Sequence, residues 1–161
     1  MTREDPRLGL VLVTGSRAWS DRPEIERRLA EARTAAVAAG CAWLLVLHGG
    51  ASGADRLADT WARRHAHEGV AVRGVPADWA GLCAPECRPG HRRTRVDGSS
   101  FCPTAGPRRN QVMVDQAAAH AAAGGWVRVL AFHLQPGGGT ADCARRAERA
   151  GLDVHRFGMW Q

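Results

Sequence analysis

Short apolar runs alternate along this chain with longer stretches of helical period, and each run ends in turn residues. LGLVLVT at 8–14 is followed by Gly15-Ser16-Arg17, AWLLVLH at 42–48 by Gly49-Gly50, and VAVRGV at 70–75 by Pro76. VRVLAFH at 127–133 runs into QPGGGT, and a short LDVHRF lies near the end. These five runs are the predicted strands. Between them the pattern predicts helices from Pro23 toward Gly40, from about Ser52, from about Arg108 to Ala123, and from Thr140 to Gly151. Ser52 and Asp55 have the spacing of a capping box at the second helix.

Strands alternating with helices of this length predict a Rossmann-like three-layer α/β sandwich: a mainly parallel sheet of order 3-2-1-4-5 with helices on both faces. Residues 1–161 then form a single domain, with 80–105 as an insert. In such sheets ligands sit beyond the carboxyl ends of the strands, where the winding reverses between the first and fourth strands.

Three Gly-rich loops fall on that rim: TGSRAW at 14–19, HGGASGAD at 48–55 and PGGGTAD at 136–142. Glycine lets backbone N–H groups approach an anion closely, and a helix N-terminus favours negative charge. The expected ligand contacts are therefore Gly15, Ser16, Arg17, Gly49, Gly50, Ser52, Asp55, Gly137, Gly138, Gly139 and Thr140, with Arg109 and Asn110 beside them. Asp55 suits either a helix cap or a contact to a ribose hydroxyl or metal. No loop is GxGxxG or a Walker A loop, which excludes the usual dinucleotide and P-loop fingerprints. His48 reads as a satisfied strand-end histidine; Trp19 and Trp79 suit the core or stacking on a base; His65, His67 and His120 read as solvated.

Charge changes this picture less than its size suggests. The chain carries +6 overall, yet every basic side chain is Arg in an Ala- and Gly-rich composition. Between Glu86 and Arg109 six arginines face two acids, so the surplus is largely local. Arg108 and Arg109 open the third predicted helix, where two cations beside the positive helix end favour an anionic partner. No apolar run approaches the roughly 20 residues of a membrane span, and the first apolar stretch is a strand rather than a signal sequence. The expectation is a cytoplasmic protein with no membrane partner.

Five cysteines in that setting suggest core or metal use rather than disulfides. Cys41 and Cys143 read as core thiols. Cys83, Cys87, His91 and Cys102 are spaced C-x3-C-x3-H-x10-C in an aperiodic insert, and they match the ligand set of a closed structural zinc site. A surface thiol cluster and a redox pair at Cys83 and Cys87 remain alternatives.

Taken in order, TGSRAW, HGGASGAD, VPADW, AGPRRNQVM and the late Gly-Thr resemble the SLOG superfamily, specifically its YspA and YpsA-related branch. The resemblance implies a Rossmann-like fold related to the LOG phosphoribohydrolases and to DprA. It also implies a nucleotide-derived ligand, bound by a sensor or processed by an enzyme. LOG enzymes pair an Arg in R-K-x-x-M with a Glu after P-G-G-x-G-T. Arg109 matches that Arg and Asn110 replaces the Lys, while the Glu position falls on Cys143 beside Asp142. Arg109 and Asp142 are thus the candidates for N-glycosidic hydrolysis, and the displaced carboxylate favours holding a ligand over cleaving it. A DprA-like single-strand nucleic-acid binder is the third expectation, not favoured because Phe101 is the lone aromatic in the basic segment. A homodimer is also compatible with the resemblance, although no periodic apolar seam marks a surface for it.

Overall fold

The computed structural model describes residues 7–159. Its strands are β1 (Leu8–Gly15), β2 (Trp43–His48), β3 (Val70–Gly74), β4 (Arg93–Thr94), β5 (Ser100–Phe101), β6 (Val127–His133) and β7 (Val154–Gly158). The helices are α1 (Arg22–Ala38), α2 (Ala54–Arg64), α3 (Ala105–Ala122) and α4 (Gly138–Arg149). The main sheet runs β3-β2-β1-β6-β7 with every pairing parallel, and β4 and β5 form a separate antiparallel ribbon within the insert. Once the ribbon is set aside, this is the expected strand order.

Continuous apolar runs form these strands because both faces of a parallel sheet are covered. Along β1, Val11 and Val13 pack toward Ile25, Leu29 and Ala58 of α1 and α2. Leu10 and Leu12 pack toward Met113, Val114 and Ala147 of α3 and α4. The period-two alternation of one strand thus serves two cores. No described helix is long and apolar enough to cross a membrane.

Three expected helix starts move. The second helix begins at Ala54, not near Ser52, and no capping box forms. Ser52 Oγ instead donates to the Arg17 carbonyl (3.2 Å), and Asp55 turns back into its own loop. α3 begins one turn before Arg108, at Ala105, with Pro107 in its first turn, where a missing N–H costs no helical bond. α4 begins at Gly138, so Thr140 lies inside it. His120 is buried rather than solvated, its Nε2 lying 2.6 Å from the Leu8 carbonyl oxygen. That link ties the far end of α3 to the start of β1.

Candidate functional site

A cleft of about 620 Å³ opens at the carboxyl edge of the sheet, where the winding reverses between β1 and β6. Thr14, Gly15, Ser16 and Arg17 form its β1 side, and His133 with residues 134–135 and 137–140 its β6 side. The α3 residues Arg109 and Asn110 lie between them, as do Asp55 and Asp142. The loops meet closely. Ser16 N donates to the Phe132 carbonyl (2.9 Å) and Ala54 N to the Ser16 carbonyl (3.3 Å). Gly53 has φ +74°, and a Cβ there would lie 2.3 Å from the Ser16 oxygen.

Most of the expected contacts reach this wall: Gly15, Ser16, Arg17, Asp55, Arg109, Asn110, Gly137, Gly138, Gly139 and Thr140. Gly49, Gly50 and Ser52 do not. Their loop is closed on itself, since Asp55 Oδ2 accepts from Gly49 N (3.0 Å) and Ala51 N (3.2 Å). Gly50 N donates to His48 Nδ1 (2.9 Å), and His48 Nε2 lies 2.8 Å from Asp59 Oδ1, which makes His48 the satisfied histidine expected. The N–H groups that could cradle an external anion here already bind a side chain of the protein. Burial pushes the Asp55 carboxyl up, against the opposing pull of these N–H groups and of His48 and Arg109.

The two consecutive arginines of α3 serve different places. Arg109 turns to the rim, donating to the carbonyls of Gly49 and Val75 and, through Nε, to Asn110 Oδ1 (3.1 Å). Desolvation lowers its guanidinium below the ordinary value, and the Asp55 charge opposes that shift. Asn110 Nδ2 donates to the Gly139 carbonyl (3.2 Å) and to Asp142 Oδ2 (3.0 Å). Arg146 Nε donates to the same oxygen (2.9 Å). Burial raises the Asp142 carboxyl, but bonds from Arg146 and Asn110 outweigh it and hold the group below the usual carboxylate range. The neighbouring Cys143 is fully buried in the core, its thiol pushed up to about 12 by desolvation. The position that the resemblance sets against the LOG glutamate is therefore a core thiol, while Asp142 presents an ionised carboxylate to the cleft.

Part of the wall lies outside the expected contacts. His133, Pro103, Gly106, Pro107 and Met113 also line the cleft. His133 ends β6, the strand at the winding reversal, and that topological position was the available signal. Trp79, one of the two stacking candidates, lines the cleft, whereas Trp19 is buried against Phe132. Two wall residues each hold a buried atom without a hydrogen-bond partner among the described residues, Asp55 Oδ1 and His133 Nδ1.

Beside the cleft, Cys83, Cys87, His91 and Cys102 bring their ligand atoms within 4.8 Å of one another. His91 Nε2 lies 2.9 Å from Cys83 Sγ and 3.4 Å from Cys102 Sγ, and the Cys87 and Cys102 sulfurs are 3.9 Å apart. Ligand atoms around a tetrahedral zinc lie roughly 3.3–3.8 Å apart, so the donor set and spacing can hold a metal ion. Arg108 points here, with Nη1 3.3 Å from Cys87 Sγ and 3.0 Å from Thr104 Oγ1. A hydrogen bond from Thr104 brings the Cys102 thiol down to about 6, toward the thiolate that binds metals.

Residues 10–81 of the chain match the model of the YspA, cpYpsA-related SLOG family. The chain is also similar to the Gene 61 protein of Mycobacterium phage D29, with 36% identity over 148 residues, covering 92% of this chain and 95% of that protein.

Proposed function

Because the chain belongs to the YspA, cpYpsA-related SLOG family, which points to a nucleotide-related binding or processing role, we propose that its cleft binds a nucleotide or nucleotide-derived small molecule. One observation carries this reading: a cavity of about 620 Å³ at the winding reversal, walled by the Gly-rich loops after β1 and β6. That volume suits a small organic ligand, and the reversal is where open α/β sheets bind one. The N-terminus of α4 offers backbone donors to phosphate, and Arg17 offers a guanidinium. The unpartnered atoms of Asp55 and His133 support the same reading, since buried polar atoms left unpaired cluster at functional sites.

Holding the ligand is favoured over cleaving it, because the position that corresponds to the LOG glutamate is the buried thiol of Cys143. N-glycosidic hydrolysis is the second reading, and the observation in its favour is the ionised Asp142 beside Asn110 and the cleft. The cysteine-histidine quartet is proposed to hold a structural Zn²⁺. Four protein ligands leave no open coordination position, so the metal would contribute folding energy rather than chemistry.

Thermal-shift titration with nucleoside mono- and diphosphates and dinucleotides tests the first reading. A ligand at a hundred times its Kd stabilises by about 2.7 kcal/mol, raising Tm by several degrees. The account expects such a shift and no free base by chromatography. Absence of any shift at millimolar concentrations would overturn it. Free base released by the wild type and abolished by Asp142→Asn would establish the second reading.

A further inference from the structure

We propose that Trp79 is the platform on which the cleft recognises an aromatic base, and that the metal in the neighbouring knuckle holds this platform in place. The inference rests on the nucleotide reading of the cleft and adds its specificity determinant and its control.

Residues 75–92 form neither helix nor strand, so the position of Trp79 needs another source of order. The knuckle supplies it at three points. The Trp79 carbonyl accepts from Cys102 N (2.9 Å), which is the backbone of a metal-ligand residue. A second ligand residue, Cys83, lies four positions further along. Arg92 Nη1 binds the Gly81 carbonyl (2.8 Å) and approaches Cys83 Sγ (3.6 Å), which clamps the stretch between Trp79 and that ligand.

The ring itself is bracketed by the insert and by the start of α3. Phe101 meets it edge-on, with centroids 6.1 Å apart. Its six-membered ring abuts Gly106 of α3, where a Cβ would lie only 2.7 Å from Cη2. Only a residue without a side chain lets the indole seat here. Towards the cleft, the exposed Arg17 places its guanidinium 5.6 Å from the ring centroid. A ring face that attracts a planar cation is also the face on which a planar base stacks. A base taking that place displaces Arg17 and frees its guanidinium for the ligand's phosphate.

The insert therefore positions the aromatic part of the wall, while α4 and the β1 loop supply the anion-binding part. Metal loading sets affinity for the base and leaves affinity for a sugar phosphate nearly unchanged. By linkage, base binding raises metal affinity by the same factor.

Calorimetric titration of the full-length protein tests this, using AMP, GMP, CMP and UMP as base-bearing probes and ribose 5-phosphate as the base-free probe. Trp79→Ala is expected to weaken the best monophosphate about tenfold or more while leaving ribose 5-phosphate within twofold, and Trp79→Phe to retain most of the affinity. Gly106→Ala, which keeps every metal ligand but displaces the indole, and chelator-stripped wild type should both show the Trp79→Ala pattern. Folded, zinc-retaining Trp79→Ala with unchanged monophosphate affinity would overturn the platform, as would equal losses for both probes. Stripped protein binding the monophosphate as tightly as zinc-loaded protein would overturn the coupling. Wild type binding neither probe would instead overturn the nucleotide reading, and this inference with it.

Discussion

Asp55 shows how one residue type at one spacing admits several roles. A carboxylate three positions after Ser52 suits a helix cap, yet the side chain closes its own loop by binding Gly49 N and Ala51 N. Local sequence could not choose between these, because the choice depends on buried N–H donors that only the folded loop presents. His120 was illegible for a similar reason, its partner being the carbonyl of Leu8, 112 positions away. That Cys83, Cys87, His91 and Cys102 could hold a metal ion was legible, because ligand type and spacing are themselves the signal.

The two cleft carboxylates predict opposite pH dependences. The carboxyl of Asp142 is lowered in the fold, so its stabilising contribution is complete above the ordinary carboxylate range and is lost as pH falls through the lowered value. Urea unfolding across pH should show the stability advantage of wild type over Asp142→Asn shrinking below about pH 4. Asp55 is raised, so its ionisation costs stability as pH rises. Relative to wild type, Asp55→Asn should therefore gain stability between acidic and neutral pH. A pH-independent difference in either comparison would contradict the assigned environment.

At the scale of elements, apolar periodicity located all five sheet strands, while three helix starts shifted by a few residues. Contacts across the rim, such as Ser52 to Arg17 and Asn110 to Gly139, join residues remote in sequence, so the local pattern does not register them. Gly53 packs against the β1 loop, and Gly53→Ala combines positive φ with a clash against Ser16 and Arg17. Thermal unfolding should show a loss of at least about 1–3 kcal/mol, and an unchanged Tm would refute the close packing of the two loops. The insert depends on another kind of order. Apart from the two-residue strands β4 and β5, residues 80–104 form no regular element. Chelation should expose this segment to limited proteolysis while the sheet remains intact, as should Cys87→Ser. A stripped protein that resists cleavage there would show that the knuckle needs no metal.

For the molecule as a whole, the strand order and the place of the winding reversal followed from the alternation of elements and the rules of chain crossover. The cleft's identity as a rim of converging loops was likewise legible. Trp79 was legible only as a candidate for the core or for stacking on a base, because its place in the wall is set by contacts with Cys102, Phe101 and Gly106 that no hydrophobic period describes. The proposed division between a backbone-lined anion side and an aromatic side at Trp79 rests on contacts present only in the fold. Hydrogen–deuterium exchange of the zinc-loaded protein, with and without the nucleotide that gives the largest thermal shift, tests the central claim most directly. The account predicts protection concentrated in residues 14–18, 106–110 and 135–142, with 48–53 little changed because that loop already binds Asp55. Protection absent from those three segments, or centred elsewhere on the chain, would contradict it.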